Sequence, residues 1–399
     1  MNSFLPPSVD GLPIDKLSAV FNPRVTTASY KFFWFLGMLD EVEKWWQSEY
    51  SMNRQYTPLQ IRISDLLLRM VVNAWYPLYF NIKLGSQDQL CRIRNDLIDM
   101  ISNKLTDKDK YNSLKDIDYD CFLTVINKID NSEIEEKTKD LKNNVPYRFL
   151  SPWYTDQSNK QVREKTQEKT DLMFIYTFVD NQTIQIDPSW LKYLTDNLKI
   201  VREFTYWNLC FYLQRRNPYD HFIINKIVRQ KERESLASQR MIWKAAMDDG
   251  ANFMCPYTRL KINKQTVKFD LDHFIPWRYI GNNLMWNLTP ASYEFNRSKG
   301  DKLPIIDEQI EIFSQNQKSL LIYLNKTYGE KLKKGQTDKL PRVIDDYLSL
   351  GVTLDELTKK NGDDLVSFYK DLLNPFCLHA KRIGFDELNQ ETIDKYRNE

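Results

Sequence analysis

Cysteine is sparse and shows no pairing pattern. The five residues, Cys91, Cys121, Cys210, Cys255 and Cys377, are scattered, and Cys255-Pro-Tyr-Thr258 is the nearest approach to a C-x-x-C pair. This supports neither a disulfide framework nor a structural zinc site. Gly and Pro total only 27 of 399 residues, too few for a fibrous, linker-like or largely disordered chain. No long apolar run is present either. The longest, Leu66 to Tyr79, is interrupted by Arg69, Asn73 and Pro77, whereas a membrane span takes ~20 mainly apolar residues. Met1 to Asp10 has no basic segment followed by an apolar one, so a secretory leader is not expected and the chain reads as cytoplasmic. An excess of one charge is also missing. Against 56 basic residues stand 54 acidic ones, for a net charge of +2, so any nucleic-acid function has to come from a local site.

What the chain does have is bulk and aromatic rings. It is longer than a typical single domain of ~100–200 residues, which predicts two or three compact units. Aromatics make up 13% of it, with ten Trp, which predicts large buried side chains. The pattern is mostly helical. Ser29 to Trp46 is apolar on most faces, as in a buried helix with Thr27 as its cap, and Ile61 to Asn73 repeats the pattern until Trp75-Tyr76-Pro77 ends it. Asn131 to Asn144 is either exposed helix or connector. Met173–Phe178 and Thr183–Ile186 read as a hairpin. Helices are expected from Pro188 and from Asp196 to Arg216. Ile223 to Met247 reads as one long helix carrying Lys226, Arg229, Lys231, Arg233, Arg240 and Lys244. Helical patterns return at Ile305–Tyr328, Lys339–Leu350 and Asp363–His379. The expected layout is mainly α with a small α+β insertion: a helical N-terminal domain (1–216), a connecting basic helix (217–250), a small mixed unit (251–304) and a helical C-terminal cap (305–399).

The chemistry concentrates in Lys268 to Pro304. Val267 to Asp272 is a short β-like run ending at His273, and Leu284 to Leu288 reads as a second strand after the Gly281-Asn282-Asn283 turn. Thr289 and Pro290 suit the cap and first position of a helix, with Gly300 at its stop. Asn296 and Lys299 then share a helix face. Asp272 and the Asn296 amide oxygen are hard ligands suited to Mg²⁺ or Mn²⁺. His273 can be a neutral base at pH 7 that takes a proton from water. Lys299 can meet charge developing on a phosphate, or simply complement the helix dipole. Together these groups describe phosphodiester hydrolysis by an activated water. In a regular strand Asp272 and His273 point to opposite faces, so the strand has to end or twist there, and Pro276 is placed to end it.

At these residues the sequence resembles the HNH, or ββα-metal, endonuclease family. The carrying elements are Asp272-His273 with Ile275-Pro276, Asn287-Leu288, and Asn296-Arg297-Ser298-Lys299. The Asp-x-Asp-His opening and the Asn296 to Asp301 ending are similar to the HNH domain of CRISPR effectors. The resemblance implies His273 as general base, Asp272 and Asn296 as metal ligands, Asp270 as a supporting acid, and Asn287 as the middle residue orienting the His side chain or its loop. Asn282 and Asn283 compete for that middle place, although a turn wants Asn there for its own reasons. Many family members carry two zinc-binding C-x-x-C pairs. Here only Cys255 remains, so no structural zinc is expected and surrounding helices have to hold the small fold.

The bland readings stand beside these. His221, in a second Asp-His-Phe triplet, lacks downstream partners and reads as a helix-start residue, and His379 reads as structural. Phe32 to Phe35 reads as core rather than as a base-stacking stripe, and the basic helix as a solvated face with a possible phosphate-tracking role. Local charge does favour nucleic acid. Asn252 to Pro304 holds eight Lys or Arg against four acids, a surplus of four that leaves the rest of the chain at −2. Arg278, Arg297, Lys302, Arg240 and Lys244 are the candidate nucleic-acid contacts. The expectation is a metal-dependent HNH endonuclease acting on DNA, with a bacterial restriction or anti-phage defence role by analogy. Its helical regions would serve a protein partner or self-association. The alternatives are a nucleic-acid-binding or regulatory subunit with an inactive HNH unit, and an RNA-cleaving nuclease.

Overall fold

The computed structural model describes all residues except 1–4, 51–54, 86–88, 105–121, 123, 125–130, 155–156, 169–171, 221, 229–234, 263–267, 335, 337–340 and 398–399. The chain is mainly helical, with three small sheets among the described residues, and it divides into two compact units, Met1–Arg229 and Gln230–Glu399. Among the described residues no helix is long and apolar enough to cross a membrane.

The first unit is built around two buried helices, α1 (Tyr30–Trp45) and α2 (Ile63–Tyr79). Phe32 to Phe35 are all at most 1% exposed, so that stripe is core. The helices approach closely at Gly37, where a Cβ would lie 3.1 Å from Arg69 Cβ and 3.4 Å from the Leu66 carbonyl oxygen. Arg69 and Glu41 pair beside this contact, and Arg202 reaches Asp40 at 2.5 Å and Glu43 at 2.8 Å. Pro77 does not end α2, which continues to Tyr79. A proline loses only its own bond to the preceding turn, and its carbonyl still accepts from Phe80 and Ile82.

The hairpin is present as β2 (Thr177–Phe178) and β3 (Thr183–Ile186), and β1 (Leu59–Arg62) adds a third antiparallel strand, in the order β1-β3-β2. Alternation puts Ile184 and Ile186 inward and leaves Thr183 and Gln185 half-buried. The segment read as helix or connector is helical: α3 spans Asn131–Phe149, and α4 (Asn159–Gln167) comes next, behind a Ser158 capping box. The long basic helix is instead two. Ile223–Ile227 ends where Val228 turns extended, and α5 begins at Ala237 and runs to Asp248. Arg229, Lys231 and Arg233 lie outside the described residues. Lys226 is buried against Asp220 at 2.7 Å, which removes it from any phosphate-tracking face.

In the second unit two antiparallel pairs, β4 (Phe253–Met254) with β5 (Lys261–Ile262) and β6 (Phe269–His273) with β7 (Leu288–Ser292), precede helix α6 (Tyr293–Lys299). The second strand therefore starts at Leu288, since Met285–Asn287 is a single 3₁₀ turn, and α6 starts at Tyr293 behind Ser292 rather than at Pro290. Pro290 lies inside β7, opposite Leu271. A two-stranded ladder leaves each strand an unpaired edge where a missing N–H costs nothing. Gly300, at φ 53°, ends α6 as expected.

Helix α7 (Ile306–Lys333) braces these strands, and α8 (Gly362–Arg382) packs on α7. Buried Asn316 exchanges hydrogen bonds with the Met254 backbone (2.7 and 3.0 Å) and donates to Thr289 Oγ1 at 3.0 Å. Buried Gln317 donates to the Leu288 carbonyl at 2.7 Å, and its own oxygen accepts from Tyr347 at 2.7 Å. Buried strand edges need such partners.

Candidate active site

Strand β6 delivers Asp272 and His273, the turn before β7 delivers Asn287, and α6 delivers Asn296 and Lys299. The end of β6 resolves the opposite-face difficulty by giving the two neighbours different partners. Asp272, 5% exposed, turns inward. Its Oδ1 accepts from Lys299 Nζ at 3.1 Å and its Oδ2 from the Tyr257 hydroxyl at 2.5 Å. Half-buried His273 meets Asn283 instead, with Nε2 2.9 Å from Oδ1. With that oxygen as acceptor, Nε2 carries the proton and Nδ1 is the basic ring nitrogen.

Asn287 is fully buried and works on the backbone. Its Oδ1 accepts from Ile275 N and its Nδ2 donates to Ile275 O, both at 2.8 Å, while its own carbonyl accepts from Phe274 N at 2.8 Å. Three bonds thus fix the chain leaving His273. The rival asparagines do other work: Asn283 holds the imidazole, and Asn282 caps its own turn through Leu284 N at 3.1 Å.

Lys299 has a side chain with no exposed surface, so it acts here as an internal counter-ion. Besides Asp272 it donates to the His273 carbonyl at 2.9 Å, and its ammonium lies 5.6 Å from the centre of the Tyr257 ring. Tyr257 is stacked on Phe295 at 4.9 Å. Burial, then the charge of Asp272, raises its phenol well above the ordinary value, which keeps it a hydrogen-bond donor. Asn296 is half-buried one helical turn from Lys299. Asp270 is held by Arg240 Nη2 at 2.6 Å.

The remaining candidate contacts are dispersed. Arg278 lies over the Phe385 ring and 4.0 Å from Asp301. Arg297 is exposed and lies over Tyr293, Lys244 is exposed on α5, and Lys302 is half-buried. His379 accepts or donates a 2.8 Å hydrogen bond with the Tyr279 hydroxyl. His221 lies outside the described residues.

The donors fit a hard divalent cation. Each Asp272 oxygen accepts one hydrogen bond and keeps a further lone pair, and the Asn296 amide oxygen is a second hard ligand of the kind that Mg²⁺ or Mn²⁺ accepts, with water filling the other positions. No group of three or more His, Cys, Asp or Glu is placed to hold a metal among the described residues, so Asn296 is needed for such a site.

Residues 255–305 match the HNH endonuclease family. This segment is an HNH endonuclease domain. The match begins at Cys255, two residues before Tyr257, and ends just past α6, so it takes in all of the paired β6–β7 unit. No curated protein and no solved structure matches the chain.

Sequence reasoning misses Tyr257 and Asn283 as members of this domain's polar network. The Tyr257 signal is weak, a tyrosine in a Cys-Pro-Tyr turn 15 residues before its partner. Asn283 is visible, but its turn explains it.

Proposed function

We propose that the protein is a divalent-metal-dependent nuclease that hydrolyses DNA phosphodiester bonds at His273. The single observation carrying this is the ordered set Asp272-His273, Asn287 and Asn296 on consecutive elements of an HNH domain. Asp272 and Asn296 would hold the cation, which when bound neutralises phosphate charge and makes water a better acid. The chain's own residues do the rest. Asn287 fixes the loop that aims His273, and Asn283 sets its tautomer. Nδ1 then takes the proton from the attacking water. The Lys299 and Tyr257 bonds keep Asp272 oriented. Arg297, Lys244 and Lys302, with Arg278 and Arg240, supply positive charge for the phosphate backbone.

On this reading the nuclease domain is 251–304, flanked along the chain by helical regions 1–216 and 305–399 that serve partner contact or self-association. Its setting is restriction or anti-phage defence in a bacterial cytoplasm. RNA offers the same phosphodiester and is the competing substrate. A second reading, a binding subunit with a shut site, is favoured by the inward Lys299–Asp272 pair.

Supercoiled-plasmid and RNA cleavage with Mg²⁺, Mn²⁺ or EDTA, wild type beside His273→Ala, separates these readings. Cleavage that needs metal and vanishes in the variant supports the nuclease. Metal-independent binding without cleavage under any condition supports the shut-site reading.

A further inference from the structure

Helices α3 and α4 of the first unit border a cleft of about 330 Å³ lined by Asn143, Tyr147, Asn159, Lys160 and Arg163. Its walls are fixed from several sides. Asn159 Nδ2 donates to the Asn143 carbonyl at 2.7 Å, tying the start of α4 to α3. The Tyr147 ring is stacked on Phe178 at 4.7 Å and 14°, which sets its plane. Phe178 is in turn held by Thr166 Oγ1 at 3.3 Å and Gln167 Nε2 at 2.9 Å, both from α4. The Tyr154 hydroxyl donates to the Tyr147 carbonyl at 2.5 Å.

The cleft is also positive. Arg163 makes no ion pair among the described residues, and Lys160 has only a loose, exposed one with Glu164 at 3.8 Å. Arg163 is near enough to Tyr147 that its charge opposes the rise burial imposes on the phenol.

A bare anion would need the cations but not the oriented ring. The volume is at the small end of small-molecule pockets, roughly 300–1,000 Å³, which suits one nucleotide and not a duplex. A ring and paired cations are the elements that hold a base and its phosphate. We propose that this cleft binds one nucleoside 5′-phosphate, its base against Tyr147 and its phosphate between Lys160 and Arg163, either free or as one unit of a single strand. The inference concerns the other unit and does not depend on the nuclease reading.

The test uses full-length His273→Ala protein, so that no probe is consumed, and titrates adenosine monophosphate, a short oligothymidylate and inorganic phosphate. Lys160→Gln with Arg163→Gln is expected to weaken nucleotide binding about tenfold or more, as loss of charge-assisted hydrogen bonds does. Tyr147→Leu weakens it comparably, whereas Tyr147→Phe, which keeps the ring, retains it. The double-cation variant should melt like the parent. Saturable adenosine monophosphate binding identifies a free nucleotide as ligand, and oligothymidylate binding alone identifies a strand. Three results overturn the proposal: neither probe binds, inorganic phosphate competes as well as the nucleotide, or the cleft variants bind like the parent.

Discussion

The chain carries the triplet Asp-His-Phe twice, at Asp220-His221-Phe222 and at Asp272-His273-Phe274. In both places the aspartate is buried and paired with a buried lysine, Lys226 at 2.7 Å and Lys299 at 3.1 Å. Neither the triplet nor the buried ion pair therefore identifies a site. The two places differ in the other groups that reach the carboxylate and in the path of the chain after the histidine. Phe222 takes a left-handed backbone, φ 56°, and starts a short helix. Phe274 instead leaves a strand, and Asn287 ties its amide and both polar groups of Ile275. Asp272 has a second donor in Tyr257, and Lys299 has a second acceptor in the His273 carbonyl. What sets the second pair apart is that its members also hold the backbone of the neighbouring histidine.

The largest expected effect separates the two histidines. His273→Ala should reduce cleavage by about 10²–10⁴-fold, the range general-base catalysis supplies, while His221→Ala leaves the rate within a few-fold. Plasmid-cleavage rates of the two variants check this, and equal loss in both would erase the distinction. Next come the aspartates. Removing one partner of a buried pair leaves an uncompensated charge and costs about 3–5 kcal/mol. Asp220→Ala and Asp272→Ala should thus both lower the denaturant midpoint by comparable amounts. Only Asp272→Ala should abolish cleavage in protein that is still folded at low temperature.

How much is legible in the sequence depends on how local each signal is. His273, Asn287 and Asn296 are readable because the domain is built from consecutive elements, so spacing along the chain stands in for position in space. The start of α6 is misread because Thr289-Pro290 imitates a helix start, and only the pairing with Leu271 and Asp272 shows that they are strand. Gln317 and Asn316 are illegible as strand partners, since nothing on α7 announces which backbone groups its amides satisfy. Tyr257 belongs with them, for only the fold carries its hydroxyl to Asp272. Tyr257→Phe keeps the stacked ring and removes one hydrogen bond to a charged group, so a loss of about 1.5–3 kcal/mol is expected. The matching change on the other triplet does not exist, because no tyrosine hydroxyl bonds Asp220 among the described residues. A melting temperature unchanged in Tyr257→Phe would show that the hydroxyl adds nothing to the hold Lys299 already has on Asp272.

The smallest effect concerns Asp346, whose Oδ2 accepts from Met285 N at 2.9 Å, just past the turn that carries Asn283. Its pKa is raised to about 6, by burial first, with the Met285 bond opposing and Asp345 adding to the rise. A carboxyl raised in the folded state binds its proton more tightly there than in the unfolded chain. Its stabilising contribution is therefore full below the ordinary value of 3.8 and is lost as pH rises through about 6. Asp346→Asn keeps an acceptor for Met285 and removes the charge. The variant should gain on wild type as pH rises through that window, by less than about 1 kcal/mol, because solvent screens a half-exposed group. Melting curves at both ends of the window read this directly. A gap between variant and wild type that does not change with pH would mean that the Asp346 carboxyl is as well solvated folded as unfolded. The Asn283 turn would then rest on the hydrogen bond alone.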